Sequence, residues 1–155
     1  MATYRATADW KLAEAPEDFL KGRYSRGHAI RFGSGVEAPG TASHHVVGNK
    51  WSVPGALDPE EMLVASLSTC HMLTFLHKAR EAGFVVTRYV DEAEGVMEKI
   101  ADGRFAVTRV TLRPQITYAG PAPSPDQRDH LHHLAHEECY IANSVKTEVV
   151  VEERD

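Results

Sequence analysis

Cysteine is nearly absent from this chain. Cys70 and Cys139 are the only two, sixty-nine positions apart, and no CxxC or HExxH pattern occurs, so neither of the common zinc signatures is present. Positive charge is in deficit as well, with 17 Lys and Arg against 22 Asp and Glu and a formal net charge of −5. That balance disfavours non-specific nucleic-acid binding, which needs clustered cations to displace counterions. No apolar run approaches the roughly 20 residues of a membrane span. The first ten residues, Met1 to Trp10, lack the apolar stretch and small-residue cleavage site of a secretion signal. No repeat, linker or low-complexity segment interrupts the chain. The expectation is one cytoplasmic domain over 1–155, with no membrane association. In that compartment thiols stay reduced unless a disulfide belongs to a catalytic cycle.

What is present is ordinary for a globular fold, 43% apolar and 25% charged. Residues 3 to 10 and His28 to Phe32 read as strands, the second ending at Gly33-Ser34-Gly35. Residues 37 to 57 carry Pro39, Gly40, Gly48, Pro54 and Gly55 and read as loop, with one short strand near His44 to Val47. Asp58 then offers an N-cap, Pro59 suits the first helical position, and Glu61 completes a capping box. Met62, Leu63, Ser66, Leu67, Cys70, Leu73 and Leu76 or His77 follow the spacing of one buried helical face, and Gly83 is placed to end it. Val64, Ala65, Met72 and Phe75 make the flanks apolar too, which predicts a central helix.

A hairpin follows, Val85 to Lys99 and Arg104 to Tyr118, turning at Ala101-Asp102-Gly103. A parity slip between Val107 and Val110 predicts a bulge near Thr108-Arg109. Ser124-Pro125-Asp126-Gln127 opens a second helix that carries Leu131, Leu134, Ala135 and Cys139. Val145 to Glu152 alternates as a closing strand, with Val145, Thr147, Val149 and Val151 on one face. The order predicts an α+β domain with an antiparallel sheet.

A thiol in mid-helix is most often a small hydrophobe, and burial silences it. Cys70 stands twelve residues past the cap, about 18 Å along the axis, beyond reach of the helix dipole. A reactive Cys70 therefore needs a cation from elsewhere, and Arg23, Arg26 and Arg31 in the first hairpin are the candidates. Three possible metal ligands also recur on one helical face: His132 or His133, His136 and Cys139. His71, His77, His44 and His45 could complete such a site. That zinc-binding reading, and a non-enzymatic module binding a hydrophobic ligand with inert thiols, are the rivals to redox chemistry.

Pro59-Glu60-Glu61 opening a helix that reaches Cys70, then Ala135-His136-x-x-Cys139 and Asn143, resembles the OsmC/Ohr family of thiol peroxidases. The resemblance covers nearly the whole chain. It implies an intertwined homodimer with antiparallel sheets wrapped around two central cysteine helices. It implies a peroxidatic Cys70, a resolving Cys139, organic hydroperoxides as substrates and a dithiol reductant, such as a lipoyl protein or thioredoxin. No cofactor or metal is implied. By position Glu60 matches the family's helix-start glutamate and Arg26 its hairpin arginine, with Arg23 as the fallback. Glu60 lies ten residues before Cys70, about 15 Å along the helix and off its face, so it would serve the cysteine of a partner chain across a two-fold axis. The chain departs from the pattern where Tyr140-Ile141-Ala142 follow Cys139 in place of proline, and where His71 follows Cys70. Those changes suggest a divergent branch.

Overall fold

The computed structural model describes residues 1–154, which divide into two compact units, 1–62 and 63–154. In the N-terminal unit β1 (Ala6–Asp9), β2 (His28–Phe32) and β3 (Glu37–Gly40) form an antiparallel sheet in that order. Ala6 stands opposite Phe32, and His28 opposite Gly40. β3 forms where the sequence reads as loop. It is an edge strand, and Pro39 is tolerated there because an edge leaves some N–H groups unpaired. A short helix, α1 (Pro16–Leu20), precedes β2. The strand expected at His44 to Val47 is instead one helical turn, α2 (His44–Val47). Ser43 starts it by accepting the His45 N–H at 3.3 Å, a local bond that outcompetes strand pairing.

The long helix α3 (Pro59–Glu81) begins as read, with Asp58 Oδ1 accepting the Glu61 N–H at 2.7 Å. It closes at Gly83, whose φ of +84° is the left-handed conformation glycine adopts freely. The buried stripe, however, is Leu67, His71, Phe75 and Ala79, while Leu73 is 64% exposed and Cys70 half-buried. A helix apolar on several sides carries more than one acceptable stripe, and the strand partners select among them.

In the C-terminal unit the expected hairpin is divided. β4 (Val85–Asp91) pairs with β7 (Pro114–Ala119) in one antiparallel ribbon, and β5 (Glu94–Lys99) pairs with β6 (Phe105–Leu112) in a second sheet. The register there skips Thr108, the bulge the parity slip indicates. β8 (Glu148–Val151) joins β6 in parallel, shorter than the alternating run and not antiparallel as read. Two clusters make the core. Leu67, Val110 and Leu112 gather Val145, Val149 and Val151, and Phe75 and Ala79 meet Leu131 and Ala135 of α4 (Pro125–Glu137). α3 lies so close on β5 that a Cβ at Gly95 would stand 2.5 Å from Val64 Cγ2.

α4 opens with the full capping box: Ser124 Oγ accepts the Gln127 N–H at 3.3 Å, and Gln127 Oε1 accepts the Ser124 N–H at 2.9 Å. Ser124→Ala is expected to cost about 1 kcal/mol, lowering Tm by about 2–4 °C for a chain of this size. A calorimetric scan checks it.

Candidate thiol site

Cys139 does not sit mid-helix as the sequence reading has it. α4 stops at Glu137, and Cys139 lies two residues beyond, in a tight turn. Asn143 makes that turn: its Nδ2 donates to Glu137 O at 2.9 Å and its N–H to Cys139 O at 3.0 Å. The Ala142 N–H points at Cys139 Sγ, 3.5 Å away. The turn thus holds a thiol that is 1% exposed in a fixed direction.

Cys70 is its neighbour: the two thiols, both free, lie near enough to act on one another. Burial pushes the Cys139 thiol up, and the neighbouring Cys70 adds to it. The N–H groups of Ala142 and Ile141 pull the other way and lose. Cys139 therefore rests protonated.

Arg26 and Glu60 belong to the N-terminal unit. The Arg26 guanidinium donates to the carbonyls of Tyr24 and Gly22, and its Cζ sits 3.6 Å from the centre of the Tyr24 ring. It has no carboxylate partner among the described residues. The other two arginines are committed: Arg23 faces Asp18 at 3.9 Å, and Arg31 binds Glu37 at 2.6 Å and Asp9 at 3.0 Å. Glu60 keeps one carboxylate oxygen, Oε2, buried and without a hydrogen-bond partner. Arg26 also lines an apolar cavity of about 500 Å³ with Trp10, Phe19, Tyr24 and His28.

The histidines do not gather as the zinc reading requires. His133 pairs with Glu137 at 3.3 Å and His77 with Glu81 at 3.2 Å, both on the surface, and His44 stacks on His45. Among the described residues no three His, Cys, Asp or Glu side chains converge to hold a metal ion. What the sequence reading missed is a buried contact between His71 and His132, completed by Glu153. Nothing in the spacing pairs His71 with His132, sixty-one positions on, and Glu153 reads as an ordinary acidic tail.

Comparison with known proteins gives the family and the fold. The family model described as OsmC-like protein matches residues 52–154. An OsmC-like protein of unknown function from Vibrio cholerae O1 biovar eltor is 44% identical, with 99% of this chain and 100% of that one covered at a TM-score of 0.92. An organic hydroperoxide resistance protein from Elizabethkingia anophelis is 18% identical over 99% and 94% of the two chains, with a TM-score of 0.71. The organic hydroperoxide resistance protein OhrB of Bacillus subtilis is 19% identical over 99% and 98%, with a TM-score of 0.70. No curated protein matches the chain. None of its helices among the described residues is long and apolar enough to cross a membrane.

Proposed function

The chain belongs to the OsmC-like family, and we propose that within it this protein is a thiol peroxidase that reduces organic hydroperoxides to alcohols. One observation carries the reading: a half-buried thiol on α3 neighbours a buried thiol held by the 139–144 turn, near enough to raise it. Such a pair is poised to become a disulfide, whereas thiols used only for packing need not meet. The names of the Elizabethkingia and Bacillus proteins point to the same substrate class.

The Cys70 thiolate attacks the terminal peroxide oxygen. An S–O bond forms, the O–O bond breaks, and the departing alkoxide takes a proton to become the alcohol. Cys139 sulfur then displaces hydroxide from the Cys70 sulfenic acid, giving a disulfide and water and sparing Cys70 from further oxidation. A dithiol returns both sulfurs to the thiol state. Arg26, with no ion-pair partner among the described residues, is the cation assigned to favour the thiolate. Glu60, with an unpartnered buried oxygen, is assigned to hold that guanidinium in a homodimer. The apolar cavity beside Arg26 suits the organic part of the peroxide.

The test adds one equivalent of cumene hydroperoxide to reduced protein. The expected result is one equivalent of cumyl alcohol and a peptide map joining Cys70 to Cys139, formed faster than with hydrogen peroxide. Dihydrolipoamide or thioredoxin should then restore both thiols. Thiols that survive excess peroxide unchanged would leave the hydrophobic-ligand reading in possession.

A further inference from the structure

α4 ends just before Cys139 because one hydrogen-bond donor replaces another. In a continuing helix the Glu137 carbonyl would accept the N–H of Ile141, four residues on. It accepts Asn143 Nδ2 instead, at 2.9 Å. The Asn143 N–H donates to Cys139 O at 3.0 Å, so this one residue holds the chain on both sides of the cysteine sulfur. The N–H groups of Ile141 and Ala142 are then free of helical partners. That of Ala142 points at Cys139 Sγ from 3.5 Å, and that of Ile141 also acts on the sulfur.

The rest of the turn is fixed by other means. Ser144 Oγ donates to Tyr140 O at 2.7 Å, and the Ser144 N–H to Ile141 O at 3.0 Å. Ile141, Ala142 and Val145 pack on the cluster of Leu67, Val110 and Leu112. The Tyr140 ring adds no cover, since the residue is 82% exposed. The ties from this packed limb back to the carbonyls of Glu137 and Cys139 are those of Asn143. Its side chain must donate there, which an ionised aspartate of the same shape cannot do.

We infer that Asn143 is a positioning residue for the disulfide-forming step: it keeps the Cys139 sulfur beside Cys70 and aims the Ala142 N–H at that sulfur. In the step the S–S bond forms and the Cys70 S–O bond breaks. The Cys139 proton leaves with the departing hydroxide as water. Charge builds on the Cys139 sulfur as its proton goes, and a fixed N–H aimed at developing charge lowers the barrier. Displacing a reacting group by about 1 Å costs about a hundredfold. The turn therefore sets how long the Cys70 sulfenic acid stays open to a second peroxide. This inference rests on the peroxidase reading.

Stopped-flow oxidation of Asn143→Ala and of the near-isosteric Asn143→Asp tests it. Both should form Cys70 sulfenic acid within about twofold of the wild-type rate and close the disulfide about tenfold to a hundredfold more slowly. Under a fixed excess of cumene hydroperoxide both should accumulate more Cys70 sulfinic acid than wild type. In resting Asn143→Ala, Cys139 should react with N-ethylmaleimide at least about tenfold faster, as the turn opens. A lowered melting temperature with disulfide closure at the wild-type rate would make Asn143 a merely structural residue and overturn the inference. Wild-type protein supplies a check that needs no variant. Asn143 is exposed, so slow exchange of its side-chain amide by NMR is expected only if the bond to Glu137 persists, and fast exchange also overturns the inference. Wild-type protein that forms no Cys70 sulfenic acid refutes the peroxidase reading and the role of Asn143 with it.

Discussion

Cys70→Ser is expected to abolish peroxide consumption, a loss of at least about a thousandfold, or about 4 kcal/mol of barrier. A serine hydroxyl at this position has neither the nucleophilicity nor the accessible ionised form of a thiol. Cys139→Ser should behave differently because its sulfur acts second. The first equivalent of peroxide is reduced at close to the wild-type rate, and turnover then stops. Cys70 is left as a sulfenic acid that excess peroxide carries on to the irreversible sulfinic state. Intact mass after timed quenching distinguishes the two variants. Equal and mild losses in both would mean that the thiols are packing elements and would sink the enzyme. The structural cost of Cys139→Ser, a hydroxyl in a 1% exposed site, is read separately from the melting temperature.

Local chemistry was legible in the sequence wherever a residue decides structure by itself. Asp58 and Ser124 start their helices, Gly83 ends one, and the parity slip at Thr108 is a bulge. The inward face of the last strand was equally plain, since Val145, Val149 and Val151 all pack on Leu67, Val110 and Leu112. Choices made by tertiary packing were not legible. Periodicity put Leu73 on the buried side of α3, yet the stripe through Leu67, His71, Phe75 and Ala79 is what the other elements cover. The run through Cys139 scans as helix until Asn143 folds back on Glu137 and takes the last residues out of it. Of the four proposed site residues, the two cysteines are neighbours, which no spacing in the sequence encodes. The histidines were visible as a cluster on one face, but the partner of His132, Glu153, was not. Their meeting brings together residues twenty-one positions apart, which no local pattern encodes.

Arg26→Ala is expected to slow the reaction of Cys70 with peroxide by about tenfold to a thousandfold, the range over which a nearby opposite charge favours an ionised group. Arg23→Ala and Arg31→Ala should each change the rate less than about threefold. Those two guanidiniums are spent on Asp18 and on Asp9 with Glu37, exposed pairs worth little to anything beyond themselves. The sign can be checked against pH. Without the cation the thiolate must be made by hydroxide, so the Arg26→Ala deficit should narrow as pH rises. Arg26→Lys keeps the charge but not the planar fork that matches a carboxylate, and should recover only part of the rate. Glu60→Gln should lose a fraction of what Arg26→Ala loses, because the guanidinium stays charged but is no longer held. Subunit sharing then makes a sharper demand. If Glu60 of one chain serves Cys70 of its partner, a mixed dimer of Cys70→Ser with Glu60→Gln contains one intact site. It should regain about half the wild-type rate while both parent homodimers remain slow. A mixed dimer no faster than its Glu60→Gln parent would return Glu60 to its own chain.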